Sequence, residues 1–220
     1  MATGVFGEEI AAHYEAWYET PQGRQADHQE KQLLRWLMGA FPGARTVLEV
    51  GCGTGHFTRW LRDEGFQAVG LDLSAPMLVQ ARALDGLPLV RGDAHRLPFA
   101  DGAVDLVVLI TTLEFLTHPR EALAEALRVA RRGLILGVLN RWSLLSLTRR
   151  VKGLFRPSVY SAARFYGVWE LQRLVRSVAG PQASIIWRTT IFPCGIPRRP
   201  SSLPWGGFIG MAVVADAKAG

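Results

Sequence analysis

The sequence predicts an α/β fold: a doubly wound, mostly parallel sheet of seven strands, with helices on both faces and an antiparallel hairpin near the C-terminus. Short apolar runs alternate with amphipathic segments over residues 46–139, which is the pattern of a parallel sheet built from βαβ units. The run 104–110 is almost entirely apolar, which is typical of a strand buried on both faces. The runs 183–191 and 208–215 have only a loop between them, which predicts an antiparallel pair at the sheet edge.

Glycine, proline and capping residues set the bounds of the predicted elements. Gly65 suits the end of one helix, and Ser74 followed by Pro76 suits the start of the next. In chain order the pattern predicts helices at 8–18 and 25–38, strand 46–50, helix 57–64, strand 67–71, helix 75–84, strands 87–91 and 104–110, helix 120–131, strand 134–139 and helix 166–178.

The length of 220 residues fits one domain with a sizeable core. No apolar run reaches the roughly 18 residues of a membrane span, and the first residues lack a signal-peptide pattern. Cys52 and Cys194 are too few for a disulfide framework or a zinc site, so we expect a cytoplasmic protein without a metal. The domain divides into an N-terminal helical lid (1–43), a ligand-binding core (44–140), a basic insertion (141–165) and a C-terminal helix with the hairpin (166–220).

Positive charge is concentrated in the C-terminal half. The net charge is +6, and residues 131–200 contain a single acid, Glu170, among many arginines. Such a block indicates an anionic partner, which would be an acidic substrate, nucleic acid or a lipid surface, although a solvated face explains it equally well. Within it, 144–155 is apolar with basic residues, which suits a lipid headgroup surface, the roof of an apolar anionic acceptor, or a plain docking helix.

A glycine-rich loop follows the first predicted strand. An apolar run containing Glu49 leads into Gly51, Gly53 and Gly55, and an amphipathic segment comes next. Glycine permits backbone conformations with positive φ and lets a ligand approach without a Cβ in the way. The start of a helix leaves free N–H donors at the same place. We therefore expect a ligand cradle at the carboxyl end of this strand.

Two ligand classes use such a cradle, the dinucleotides and S-adenosylmethionine. The dinucleotide fingerprint has glycine at its first, third and sixth positions, but the sixth position counted from Gly51 is His56. Glu49, just before the loop, would repel a pyrophosphate and suits a cationic ligand. Asp72, at the end of the second strand, suits the ribose hydroxyls of either ligand. The loop therefore favours S-adenosylmethionine, which carries an ammonium and a sulfonium.

Several motifs carry a resemblance to a known family. They are Leu48 to Gly55, Gly70 to Ser74 with Met77, Arg91 to Ala94 with Leu97 to Phe99, and Asp105 to Val108. Together they resemble a class I S-adenosylmethionine-dependent methyltransferase, of the Rossmann-like group that includes small-molecule and quinone methyltransferases. The resemblance covers most of residues 44–140, and the C-terminal antiparallel hairpin also matches that fold.

The resemblance implies S-adenosylmethionine as the cofactor. It places the glycine loop beside the methionine moiety, Asp72 on the ribose, Met77 on the adenine ring, Asp93 on the adenine amino group and Ile110 near the methyl group. The full set of implied cofactor-binding residues is Glu49, Gly51, Cys52, Gly53, Gly55, Asp72, Leu73, Met77, Asp93, Ala94, Ile110 and Thr111.

The sequence departs from the family after the fourth strand. Many relatives have a His pair there, whereas this chain has 111–115, Thr-Thr-Leu-Glu-Phe. This stretch also lacks the Asn/Asp-Pro-Pro-aromatic sequence of enzymes that methylate the amino groups of adenine or glutamine. Methyl transfer from a sulfonium is an in-line displacement in which alignment of the reactants contributes roughly 7–11 kcal/mol. None of the candidate bases has a telling context, so no catalytic residue is predicted among His13, His28, His95 and His118.

The acceptor site is expected above the strand ends, between the N-terminal helices and residues 140–166. Aromatic side chains there suit a cation–π contact with the sulfonium, or they form an ordinary packed face. The candidates are Tyr14, Trp17, Tyr18, Asn140, Arg141 and Trp142. These features predict methylation of a small, apolar or anionic acceptor. The alternatives are a nucleic-acid methyltransferase that uses the Arg-rich block 131–199 for phosphate contacts, and a binder of S-adenosylmethionine without catalysis.

Overall fold

The computed structural model describes residues 6–84, 86–143, 163–192 and 199–215. The helices are α1 (Glu8–His13), α2 (Pro21–Met38), α3 (His56–Asp63), α4 (Ala75–Leu84), α5 (Pro119–Val129) and α6 (Val168–Ala179). The strands are β1 (Thr46–Val50), β2 (Gln67–Asp72), β3 (Leu89–Arg91), β4 (Val104–Ile110), β5 (Ala130–Leu139), β6 (Ser184–Thr190) and β7 (Phe208–Val214). Short 3₁₀ turns occupy Glu15–Trp17 and Leu113–Phe115.

The strands form one seven-stranded sheet in the order β3-β2-β1-β4-β5-β7-β6. The first five strands of this order are parallel, and β7 is antiparallel to both β5 and β6. The predicted fold class, including the edge hairpin, is therefore confirmed. The strand order reverses between β1 and β4, and in sheets of this kind ligands bind beyond the carboxyl ends of the strands at that reversal.

Helices cover both faces of the sheet. On one face α2 and α3 contribute Leu33, Leu37 and Leu61 to a core shared with Val108 on β4. On the other face, α5 and α6 pack on the central strands through a second core that includes Leu171. Helix α2 contacts β5, β6 and β7, so it forms part of the core. The predicted lid over residues 1–43 therefore does not include α2.

Several element bounds differ from the prediction. The helix predicted at 8–18 is α-helical only to His13, because the next turn closes with tighter bonds from each N–H to the carbonyl three residues earlier. Helix α2 begins four residues early, because the Thr20 hydroxyl accepts a 2.9 Å hydrogen bond from the Gly23 N–H. Strand β5 begins at Ala130, directly after α5, because Ala130 pairs with Val104 on β4.

Candidate functional site

A cavity lies at the carboxyl ends of β1, β2 and β4, where the strand order reverses. It is lined by ten residues that the sequence analysis singled out: Tyr14, Tyr18, Glu49, Gly51, Cys52, Gly53, Asp72, Met77, Ile110 and Thr111. It is also lined by residues that the sequence analysis did not assign to the site: Phe6, His56, Phe57, Thr112 and Phe115.

The glycine loop forms the floor of this cavity. Gly51, Gly53 and Gly55 have φ of 76°, 54° and 79°, a region that favours glycine. A Cβ at Gly51 would lie 2.3 Å from the Thr112 side chain, so that glycine is also required by close packing. A Cβ at Gly53 would meet nothing within 4 Å. The loop backbone at Gly53 is therefore open to a ligand.

Asp72 is buried at the end of β2 and ties the loop to the sheet. Its Oδ2 accepts a 2.8 Å hydrogen bond from the Gly53 N–H, and its Oδ1 accepts a 2.7 Å bond from the Ser74 N–H. Burial raises the pKa of Asp72 and these backbone donors oppose that rise. The Leu73 N–H is a third backbone donor to this carboxylate, and because a carboxylate has about four acceptor sites, part of its capacity stays open to a ligand hydroxyl.

Glu49 is 2% exposed and accepts a hydrogen bond from the Thr58 hydroxyl. Burial raises its pKa to about 8. The carboxyl group is therefore mostly protonated at neutral pH in the absence of a ligand. This corrects the sequence argument, which treated Glu49 as an anion before any cation arrives; a bound cation would lower this pKa.

Four predicted cofactor residues do not line this cavity. Gly55 caps α3, and a Cβ there would lie 2.7 Å from Leu87. The Leu73 carbonyl accepts a 3.3 Å bond from Arg91 Nε, and Ala94 is part of the buried core. The Asp93 carboxylate lies 2.6 Å from Nδ1 of His95 and is partly exposed. Burial raises the pKa of Asp93, but the hydrogen bonds from His95 outweigh burial, so this pKa is lowered overall. The roles of these four residues stay predictions.

The N-terminal segment covers the cavity. Phe6 contacts Phe115 edge to face, with ring centroids 5.0 Å apart. The carbonyl of Phe6 accepts a 2.8 Å bond from the Ser74 hydroxyl. Farther along the chain, Glu15 accepts bonds from the Thr54 hydroxyl and, at 3.1 Å, from Arg59 Nη2. Residues 6–18 are thus tied to the glycine loop and to the start of α4.

His56 is the functional candidate that sequence reasoning missed. Its Nε2 lies 2.7 Å from Asp27 Oδ1, and its ring stacks on Tyr18 with centroids 3.7 Å apart. Burial lowers the pKa of His56, but the interactions of the ring with the acids Asp27 and Glu15 outweigh burial, so the net shift of this pKa is upward. The available signal was its position directly after the third glycine. Its partners, Asp27 on α2 and Glu15 in the turn before α2, are far from His56 in the sequence, so local pattern could not predict these contacts.

The candidates that follow β5 do not line the cavity. The Asn140 side chain donates 2.7 Å bonds to the carbonyls of Pro204 and Gly206, so its amide holds the loop before β7. Arg141 pairs with Glu170 at 3.3 Å, and Trp142 is 65% exposed. From the N-terminal set, Trp17 is also outside the cavity lining and contacts Tyr18 edge to face. The proposed surface segment 144–155, like Cys194, lies outside the described residues.

The described residues contain neither a cluster of metal ligands nor a membrane-spanning helix. Within residues 6–84, 86–143, 163–192 and 199–215, no group of three or more His, Cys, Asp or Glu could hold a metal ion. No helix in these ranges is long and apolar enough to cross a membrane.

Residues 48–137, which carry the glycine loop, Asp72 and Ile110, match the family model described as a methyltransferase domain. This segment is a class I S-adenosylmethionine-dependent methyltransferase domain. The family implies S-adenosylmethionine as the methyl donor, and the cavity with its glycine floor and Asp72 fits that group.

Individual relatives agree with this assignment. The chain is 42% identical over 109 residues to a demethylmenaquinone methyltransferase of Renibacterium salmoninarum, covering 46% of each protein. It is 35% identical over 144 residues to a malonyl-acyl-carrier-protein O-methyltransferase of Pectobacterium atrosepticum, covering 60% of this chain and 56% of the relative. The chain thus spans about half the length of these curated relatives.

A solved structure extends the similarity beyond the domain. It comes from Thermotoga maritima and is described as an S-adenosylmethionine-dependent methyltransferase and possible histamine N-methyltransferase. It superposes with a TM-score of 0.75 at 26% identity, over 96% of this chain and 99% of that one. The similarity therefore includes the N-terminal helices and the C-terminal hairpin.

Proposed function

We propose that this protein transfers the methyl group of S-adenosylmethionine to a small, apolar or anionic acceptor by in-line displacement. One observation carries the proposal: a cavity at the strand-order reversal has a glycine loop as its floor and the buried carboxyl of Asp72 at its edge. The methyltransferase domain match over residues 48–137 supports the same reaction.

The residues in the cavity wall have separate tasks in this proposal. Asp72 accepts the ribose hydroxyls while Gly53 and Ser74 hold its carboxylate in place. Met77 packs on the adenine, and Glu49 faces the ammonium end. Tyr14 and Tyr18 line the covered side of the cavity, where their ring faces suit the sulfonium. The chain thereby aligns the methyl group and excludes water, which supplies much of the rate in a displacement of this kind.

The acceptor is proposed to be small and apolar or anionic. Near the carboxyl end of β4 the cavity wall has three apolar side chains, Ile110, Phe115 and Phe6, beside Thr111 and Thr112. The relatives are named for demethylmenaquinone and for malonyl-acyl-carrier protein, which are an apolar ring compound and an anionic acyl group. Neither name decides the acceptor of this chain.

Nucleic acid is the less favoured partner. Several described arginines of the block 131–199 already have partners in the fold: Arg132 donates to the Pro42 carbonyl, Arg164 pairs with Glu170, and Arg188 lies over the Trp36 ring. The relatives' names provide no support for nucleic acid either.

Calorimetric titration with S-adenosylhomocysteine, with NADH as the control, tests the proposal. Micromolar binding of the former alone, about −8 kcal/mol, is the expected result. Labelled S-adenosylmethionine is then offered with a demethylated quinone, a malonyl thioester and RNA. Cofactor binding without turnover on any acceptor would support a non-catalytic binder, and binding of NADH alone would refute the proposal.

A further inference from the structure

One cationic side chain lies in the cavity wall. His56 is the first residue of α3, and its imidazole stacks on Tyr18 with the ring planes 8° apart. Among the described residues that line the cavity, it is the only one whose side chain can carry a positive charge. The cavity wall also contains two acidic side chains, Glu49 and Asp72. An anionic group of a ligand would therefore be placed at His56.

The two acids beside His56 favour its protonated form and outweigh Lys31, whose Nζ lies 3.1 Å from Nε2 and opposes protonation. Asp27 lies 2.7 Å from Nε2, and Glu15 lies 3.7 Å from Nδ1. Each of these acids also forms an ion pair with a basic side chain: Lys31 lies 2.8 Å from Asp27, and Arg59 lies 3.1 Å from Glu15. With two acids and two bases already balanced, the imidazolium leaves this group of five side chains with a net positive charge.

The Nδ1 edge of the imidazolium has the weaker contact with the protein. Nδ1 lies 3.7 Å from Glu15 Oε2, which is longer than an ordinary hydrogen bond, whereas Nε2 lies 2.7 Å from Asp27 Oδ1 and 3.1 Å from Lys31 Nζ. Nδ1 is therefore the less tightly held of the two ring nitrogens. His56 also begins α3, where the first-turn N–H groups carry the positive end of the helix dipole. An anion beside His56 would also lie near this positive end of the helix.

We propose that His56 recognises the carboxylate of the cofactor's methionine moiety, an inference that rests on the proposed function. The ammonium of the same moiety then faces Glu49, so the two ends of the zwitterion meet groups of opposite character. Tyr18 holds the imidazole plane by stacking, and Asp27 holds it by the bond to Nε2. His56 is thus a binding residue for the cofactor.

The experiment compares two ligands by calorimetry: S-adenosylhomocysteine and its decarboxylated analogue, which keeps the ammonium and lacks the carboxylate. The wild type should prefer the first by about 10-fold, the lower range for a hydrogen bond to a charged group. In His56→Gln this preference should fall below about twofold. The matched control is His28→Gln, an exposed histidine on α2 that contacts Gln32, and it should keep the wild-type preference.

The pH dependence separates recognition from a structural role. The groups that face His56 are Glu15, Tyr18, Asp27, Lys31 and Arg59, with Glu49 and Asp72 nearby in the cavity wall. Both ligands carry the ammonium, so the titration of Glu49 cancels in the ratio of their affinities. The ratio should decline as pH rises through the raised pKa of His56. In Asp27→Asn, which keeps the imidazole, the decline should occur at lower pH.

The outcomes are distinct. Equal weakening of both ligands by His56→Gln, or no weakening, would overturn the inference while S-adenosylhomocysteine binding to the wild type would still support the proposed function. Absence of that binding would overturn both. If His56→Gln proves unfolded by circular dichroism, the Asp27→Asn profile decides: an unshifted decline would overturn the inference.

Discussion

Replacing Asp72 by Asn tests the central contact of the proposed site. The variant keeps the shape of the side chain but replaces one acceptor oxygen by a donor, opposite either the Gly53 N–H or the Ser74 N–H. It also removes the charge that would receive two ribose hydroxyls. A hydrogen bond to a charged group contributes about 1.5 kcal/mol or more, so two lost bonds weaken binding by about 3 kcal/mol, or about 150-fold.

The assay is calorimetric titration of Asp72→Asn with S-adenosylhomocysteine at neutral pH. Asp63→Asn, at the exposed end of α3, is the matched control and should bind as the wild type does. Thermal unfolding of both variants checks that the fold is retained. Affinity of Asp72→Asn within twofold of the wild type would refute the argument that this carboxylate holds the ligand.

Three further predictions concern the loop, the buried acid and the cover. Gly51→Ala places a Cβ against Thr112 in a residue with positive φ, so it should lower the free energy of unfolding by about 1–3 kcal/mol. Thermal melts measure this loss. The control Gly7→Ala, whose Cβ would meet nothing within 4 Å, should show no such loss. The folded-state pKa of Glu49 is raised to about 8, so its contribution to stability is present at low pH and is lost as pH rises from about 4.5 through 8. Denaturant melts of Glu49→Gln should show a weaker fall in stability over that window, and an unchanged slope would contradict the raised pKa. Glu15→Gln removes the charge that pairs with Arg59 and holds the N-terminal segment 6–18 over the cavity. Dissociation of S-adenosylhomocysteine, measured by stopped flow, should therefore be several-fold faster. The control Glu19→Gln, at an exposed position, should match the wild type.

Local sequence was sufficient for the elements whose signal is carried by neighbouring residues. Strands β1 and β4 have the predicted bounds, because a short apolar run ended by polar or glycine residues defines a buried strand without reference to the rest of the chain. The three glycines of the loop were also predictable from local sequence, because each has a positive φ, a conformation that favours glycine. The start of α2 can be read from local sequence, because Thr20 followed by Pro21 is a typical helix start, although the hydrophobic pattern alone predicts the helix only from residue 25.

Long-range contacts decided the rest of the site. Asn140 follows a strand at the ligand-binding edge, as a site residue would, but its amide is bonded to a loop more than 60 residues later in the chain. Glu49 has the predicted position, yet its protonation depends on complete burial, which a sequence does not display.

The sequence by itself determined the βαβ order, the glycine loop, Asp72 and the class of cofactor, because each depends on residue type at short spacing. Only the tertiary structure decided that α2 is a core layer, that residues 6–18 cover the cavity, and that His56 meets Asp27 and Glu15. Those contacts join residues 29 and 41 positions apart. Such pairings arise from the packing of α2 and the preceding turn on the loop, and the charge state of a buried group follows from that packing.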